Sequence, residues 1–137
     1  MRPKKTILLA MADENELSVT KFMLETHRYH VLDVQTGIEA IAAFEAAAVD
    51  LVLAEFELPE MNGKHLIELL KNISPYVPMI ILGDPEAMRV GMWVADALVA
   101  KKTCTAEELL DRIKVMTARK RGPKKGCASY PRVPVTA

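Results

Sequence analysis

Up to residue 117 the chain alternates short, uniformly apolar runs with stretches of helical periodicity. Residues 7–11 (Ile-Leu-Leu-Ala-Met) predict a buried strand, and residues 16–27 a helix with Leu17, Val19, Thr20, Met23 and Leu24 inward. A second strand follows over 29–34. The Thr36-Gly37 turn leads into an alanine-rich helix over 38–48. Residues 51–54 predict a third strand, and a loop through Pro59, Asn62 and Gly63 opens a helix over 65–72. Residues 78–82 predict a fourth strand, with Pro78 at its first position, where proline is tolerated. Pro85 starts a short helix, and 97–100 is a fifth strand. Thr105 and Glu108 form a capping-box pattern at the start of a last helix with Leu109, Leu110, Ile113 and Met116 inward.

Five apolar strands alternating with five helices predict a parallel sheet covered on both faces. The working site of such a sheet lies beyond the carboxyl ends of its strands, near the reversal in strand order. Those ends are residues 11–14, 55–57, 83–84 and 101–102.

Charge changes this picture at the C-terminus. The 137 residues have zero net charge, yet residues 1–111 hold all 18 acids and sum to −8, while residues 112–137 hold eight bases and no acid. The chain divides into a short extension (1–4), one globular domain (5–117) and a basic, disordered tail (118–137). Two dispersed cysteines exclude a disulfide framework or zinc site, and the longest apolar run, residues 7–12, is too short for a bilayer or a signal peptide. A cytoplasmic protein is expected. His27, His30 and His65 are too scattered to build a nucleophilic site, and no glycine-rich phosphate loop follows the first strand. Glu55, Glu57 and Glu60 read as a solvated acidic loop rather than an acid–base pair, and the helix N-terminus after Cys104 would lower that thiol's pKa. No enzyme is expected.

The segment Asp50-Leu51-Val52-Leu53-Ala54-Glu55-Phe56-Glu57-Leu58-Pro59-Glu60-Met61-Asn62-Gly63 resembles the phosphoacceptor strand and loop of response-regulator receiver domains. Thr36-Gly37-Ile38-Glu39-Ala40 and the Lys101 strand end match the same family, over about residues 5–117. The resemblance implies a flavodoxin-like, doubly wound five-stranded parallel sheet with five helices, the fourth shortened. It also implies a role in two-component or phosphorelay signal transduction.

The family's site residues largely do not carry over. Met11 and Ala12 stand at the metal-binding acidic pair, and Glu55 at the phosphorylated aspartate. Gly83 replaces the switch hydroxyl, Leu98 the switch aromatic, and Lys102 the proline after the site lysine; Lys101 alone matches. Methionine and alanine offer a Mg²⁺ ion no hard oxygen, so no cofactor is expected. Glutamate's additional methylene displaces its oxygens by roughly an ångström, an error that can cost about a hundredfold in rate. Glu55 is expected to pair with Lys101 across the mouth of the sheet. The Lys101–Lys102 peptide is expected to be trans.

The reading is a stand-alone, atypical receiver acting by contact with a protein: a signalling kinase, an effector or a second copy. Met88, Met92 and Trp93, in a connection about four residues shorter than usual, form a candidate partner surface. Two alternatives stay open. Asp13 and Glu14 could serve as displaced acids in a phosphorylated receiver, or the basic tail could bind nucleic acid through phosphate contacts.

Overall fold

The computed structural model describes residues 4–84, 86 and 95–118. The strands are β1 (Thr6–Ala10), β2 (His30–Val34), β3 (Leu51–Glu55), β4 (Met79–Gly83) and β5 (Ala97–Ala100). They form one parallel sheet in the order β2-β1-β3-β4-β5. The helices are α1 (Glu14–Thr26), α2 (Gly37–Ala46), α3 (Gly63–Ile73) and α4 (Ala106–Ala118). Among the described residues no helix is long and apolar enough to cross a membrane.

Strand alternation divides the apolar residues between two cores. Ile7, Leu9, Leu51, Leu53, Ile80 and Val99 face one way and meet Leu17 and Leu24 of α1 and Leu109, Ile113 and Met116 of α4. Leu8, Ala10, Val52, Ala54, Met79 and Ile81 face the other way, against Ala40 and Phe44 of α2 and Leu66, Ile67 and Leu70 of α3. Burial on both faces explains why the strands read as continuous apolar runs.

Two expectations need correcting. The described residues hold four helices, not five with a shortened fourth. In the connection from β4 to β5, the Asp84 carboxylate accepts the Glu86 N–H at 3.2 Å. Residues 85 and 87–94 lie outside the described set. Val19 was expected inside but is 68% exposed, because the buried stripe of α1 is confined to Leu17 and Leu24.

Candidate functional site

Strand order reverses between β1 and β3, so a crevice opens where their carboxyl ends diverge. The register pairs Ala10 with Ala54 and Glu55 with Leu82, placing Glu55 between the ends of β1 and β4. Glu55 is 4% exposed, a carboxylate at the end of a strand whose other residues are all apolar. Glu57 and Glu60 of the same acidic run stay exposed, so the acidic loop expected from sequence has one inward member.

Both Glu55 oxygens are engaged. Oε1 accepts the Ala12 N–H at 2.9 Å, and Oε2 meets the Lys101 ammonium. Ala12 is held from its other side as well, since its carbonyl accepts Gln35 Nε2 at 3.2 Å. Lys101 also reaches Glu16 Oε1 at 2.6 Å, so one ammonium joins two carboxylates. Partial burial pushes the Lys101 pKa down, but the hydrogen bonds to Glu16 and Glu55 outweigh it and hold the ammonium above the ordinary lysine value.

Glu16 was missed from sequence because the first helix was started two residues too late. Asp13 is the N-cap: its Oδ1 accepts the N–H of Asn15 at 2.8 Å and of Glu16 at 3.4 Å. Reading the cap at Asp13 places Glu16 in the first turn, beside the strand ends. At the other end of the site, Lys101 N–H donates to Gly83 and Cys104 N–H to Ala100. The capping box expected at Thr105 is formed: Glu108 N–H donates to Thr105 Oγ1 at 3.1 Å, and Thr105 N–H to Glu108 Oε1 at 3.0 Å. No described peptide is cis, and Lys101–Lys102 is trans.

The donor set does not fit a divalent metal. Met11 is buried and apolar, Ala12 has no oxygen in its side chain, and Asp13 is spent on the helix cap. Glu55 is occupied by an N–H and an ammonium. Among the described residues no group of three or more His, Cys, Asp and Glu could hold a metal ion. Gly83 lies at the end of β4 with no hydroxyl, and Leu98 on β5 is 43% exposed. Burial pushes the Cys104 thiol up, aided by Glu108 against Arg112, which corrects the lowered value expected from the helix N-terminus. Met88, Met92 and Trp93, and the tail beyond Ala118, lie outside the described residues.

Residues 7–114 match the response regulator receiver domain. The chain belongs to that family. It is a receiver-type signalling module of two-component systems, and domains of this kind are not enzymes in the conventional sense. The non-phosphorylated HemR receiver domain of Leptospira biflexa is similar at TM-score 0.76 and 28% identity, over 88% of this chain and 100% of that one. A CheY-like receiver domain protein of Methanospirillum hungatei gives 0.77 at 28% identity, over 84% and 94%. Sensory transduction protein RegX3 of Mycobacterium bovis is 30% identical over 117 residues, 83% of this chain and 52% of that protein. Autoinducer 1 sensor kinase/phosphatase LuxN of Vibrio campbellii is 27% identical over 84 residues, 61% of this chain and 10% of that protein. The chain thus spans from a tenth to about half of these curated relatives.

Proposed function

We propose that this receiver domain signals by protein contact from a single conformation, without Mg²⁺-dependent phosphorylation of an acidic side chain. The observation that supports the reading is the double engagement of Glu55. An attacking carboxylate oxygen must be free to approach phosphorus, and a metal must neutralise the phosphoryl oxygens. Here Oε1 is held by Ala12 and Oε2 by Lys101. The neighbours that would bring the metal are Met11 and Ala12.

The same ion pair supplies permanently what phosphorylation would supply on demand: an anion against Lys101 at the end of β3. A modification changes a conformational equilibrium only by interacting differently with its two states. With a glycine at position 83 and a half-exposed leucine at position 98, the hydroxyl and the aromatic that would sense such a change are absent. Partner binding is then governed by the amount of protein present. The partner is a protein such as a signalling kinase, an effector or a second copy.

The test is incubation with acetyl phosphate and Mg²⁺ followed by intact mass, alongside amide NMR spectra with and without beryllofluoride plus Mg²⁺. No phosphoryl adduct and no shifts are expected. An adduct on the wild-type chain that disappears in Glu55→Gln would overturn the reading.

A further inference from the structure

Between α1 and α4, at the carboxyl ends of β1, β4 and β5, lies a groove of about 410 Å³, within the range of roughly 300–1,000 Å³ that small-molecule sites occupy. The core residues Met11, Leu82 and Leu109 line it, together with the partly buried Met23 and the exposed Val19 of α1. Two of these apolar side chains are methionines. Their flexible, polarisable thioethers adapt to the shape of a ligand and attract the edge of an aromatic ring.

The charged residues of the groove are Glu16 and Lys101, and they are paired with each other. A charged ligand must either break that pair or be buried beside it without a counter-ion of its own. An uncharged ligand need do neither. The remaining polar lining, which includes Asn15, Thr20 and Thr105, is neutral as well. The pair still leaves hydrogen-bonding capacity. A lysine ammonium has three N–H donors, and Glu16 Oε1 and Glu55 Oε2 take two of those of Lys101. Among the described residues no acceptor takes the third, and no donor reaches Glu16 Oε2. One donor and one acceptor therefore lie side by side at the polar end of an apolar groove. A carboxamide answers both, since its carbonyl accepts and its N–H donates.

We propose that the α1–α4 groove binds an uncharged aromatic carboxamide, with the ring against Met11 and Met23 and the amide on the Glu16–Lys101 pair. The ligand adds to the ion pair at the mouth of the sheet without displacing either member of it.

The probe is hydrocinnamamide, titrated into the full-length protein carrying ¹³C-labelled methionine methyl groups. It is expected to shift the Met11 and Met23 signals saturably, with half-saturation at about 1 mM, as suits so small a ligand. Cys104 borders the groove and supplies a second readout. At about four times the half-saturating concentration, alkylation of Cys104 by iodoacetamide should slow about fivefold by mass action, read by peptide mapping. Cys127, the other cysteine of the chain, is the internal control and should react at an unchanged rate. Hydrocinnamate and phenylpropylamine have a similar shape but carry a negative and a positive charge. Each is expected to bind at least about tenfold more weakly. Met23→Lys, which puts a charge beside the ring, is expected to remove the Met11 shift; the ligand series carries the test if that variant does not fold. The proposal is overturned by the absence of a saturable shift up to about 10 mM. Equal binding of the three ligands, tighter binding of either charged one, or equal slowing of the two cysteines overturns it as well.

Discussion

Glu55 is buried at the end of β3 with one oxygen against the Lys101 ammonium at the end of β5, although 46 positions separate them in the sequence. The second oxygen accepts the Ala12 N–H, so the carboxylate joins the ends of three strands: β1, β3 and β5. A buried carboxylate that loses its cation is left with a large desolvation penalty. Lys101→Met is expected to destabilise the domain by about 2–3 kcal/mol, measured by urea denaturation. Adding Glu55→Gln to it should recover part of that loss, because a neutral amide needs no counter-ion. A double variant as unstable as the two single losses added together would show that the pair is not coupled.

The pH dependence of stability follows from the same ammonium. Its pKa is raised in the folded state: partial burial acts against the charge, and the hydrogen bonds to Glu16 and Glu55 outweigh that effect. Folding therefore favours the protonated form. This contribution is complete below the unfolded lysine value of about 10.4 and is lost as pH rises through the higher folded value. Urea midpoints of the wild type should be insensitive to this group at neutral pH and should fall in the alkaline range. Lys101→Met should show a shallower alkaline fall. Identical alkaline slopes in the two proteins would remove Lys101 as the cause.

The strands were legible because a sheet buried on both faces leaves uninterrupted apolar runs, as at residues 7–10 and 51–54. The approach of Lys101 to Glu55 was legible too, since parallel strands place their carboxyl ends together. Glu16 was not, because its position depends on where α1 starts, and Asp13 was weighed only as an alternative displaced acid, not as a cap. The exposure of Val19 was hidden by drawing the inward stripe of α1 too wide, to take in Val19 and Thr20 beside Leu17 and Leu24. The fifth helix expected between β4 and β5 is not among the four that the described residues hold, and most of that connection lies outside the described residues.

Arg28 ends α1 at a cost that one substitution should remove. Tyr29 N–H donates to the Leu24 carbonyl and Arg28 N–H to that of Glu25, a Schellman closure with Arg28 at φ 73°. That left-handed conformation crowds the Cβ of any residue but glycine. Arg28 is exposed, so its side chain is not needed for packing. Arg28→Gly is expected to stabilise the domain by about 1 kcal/mol, and a lower urea midpoint in the variant would contradict the strain argument.

Gly37 and Gly63 occupy equivalent places and should respond differently to the same change. Each is the first residue of a helix, after a cap formed by Thr36 or Asn62. A methyl group added at Gly37 would fall 2.5 Å from Met61 Cγ and 2.6 Å from its Sδ, the flexible part of a half-buried side chain that can swing aside. At Gly63 the same group would run into the Glu55 carbonyl oxygen and come within 2.9 Å of Phe56 Cα. These are backbone atoms, and the Phe56 carbonyl already accepts the Gly63 N–H at 2.6 Å, so strand end and helix start cannot separate without breaking that bond. Gly37→Ala should cost under about 1 kcal/mol, since alanine's better helix propensity offsets part of the repacking. Gly63→Ala should cost about 2–3 kcal/mol, as overpacking of fixed atoms does. It should also displace the Glu55 backbone and with it the Lys101 contact. The check is a pair of urea titrations with ¹⁵N spectra of both variants. Gly63→Ala should shift the amides of Ala12 and Lys101, whereas Gly37→Ala should leave Lys101 unmoved. Equal costs for the two variants would mean that the β3–α3 loop yields as readily as a methionine side chain, and that Glu55 is not held in place by its backbone.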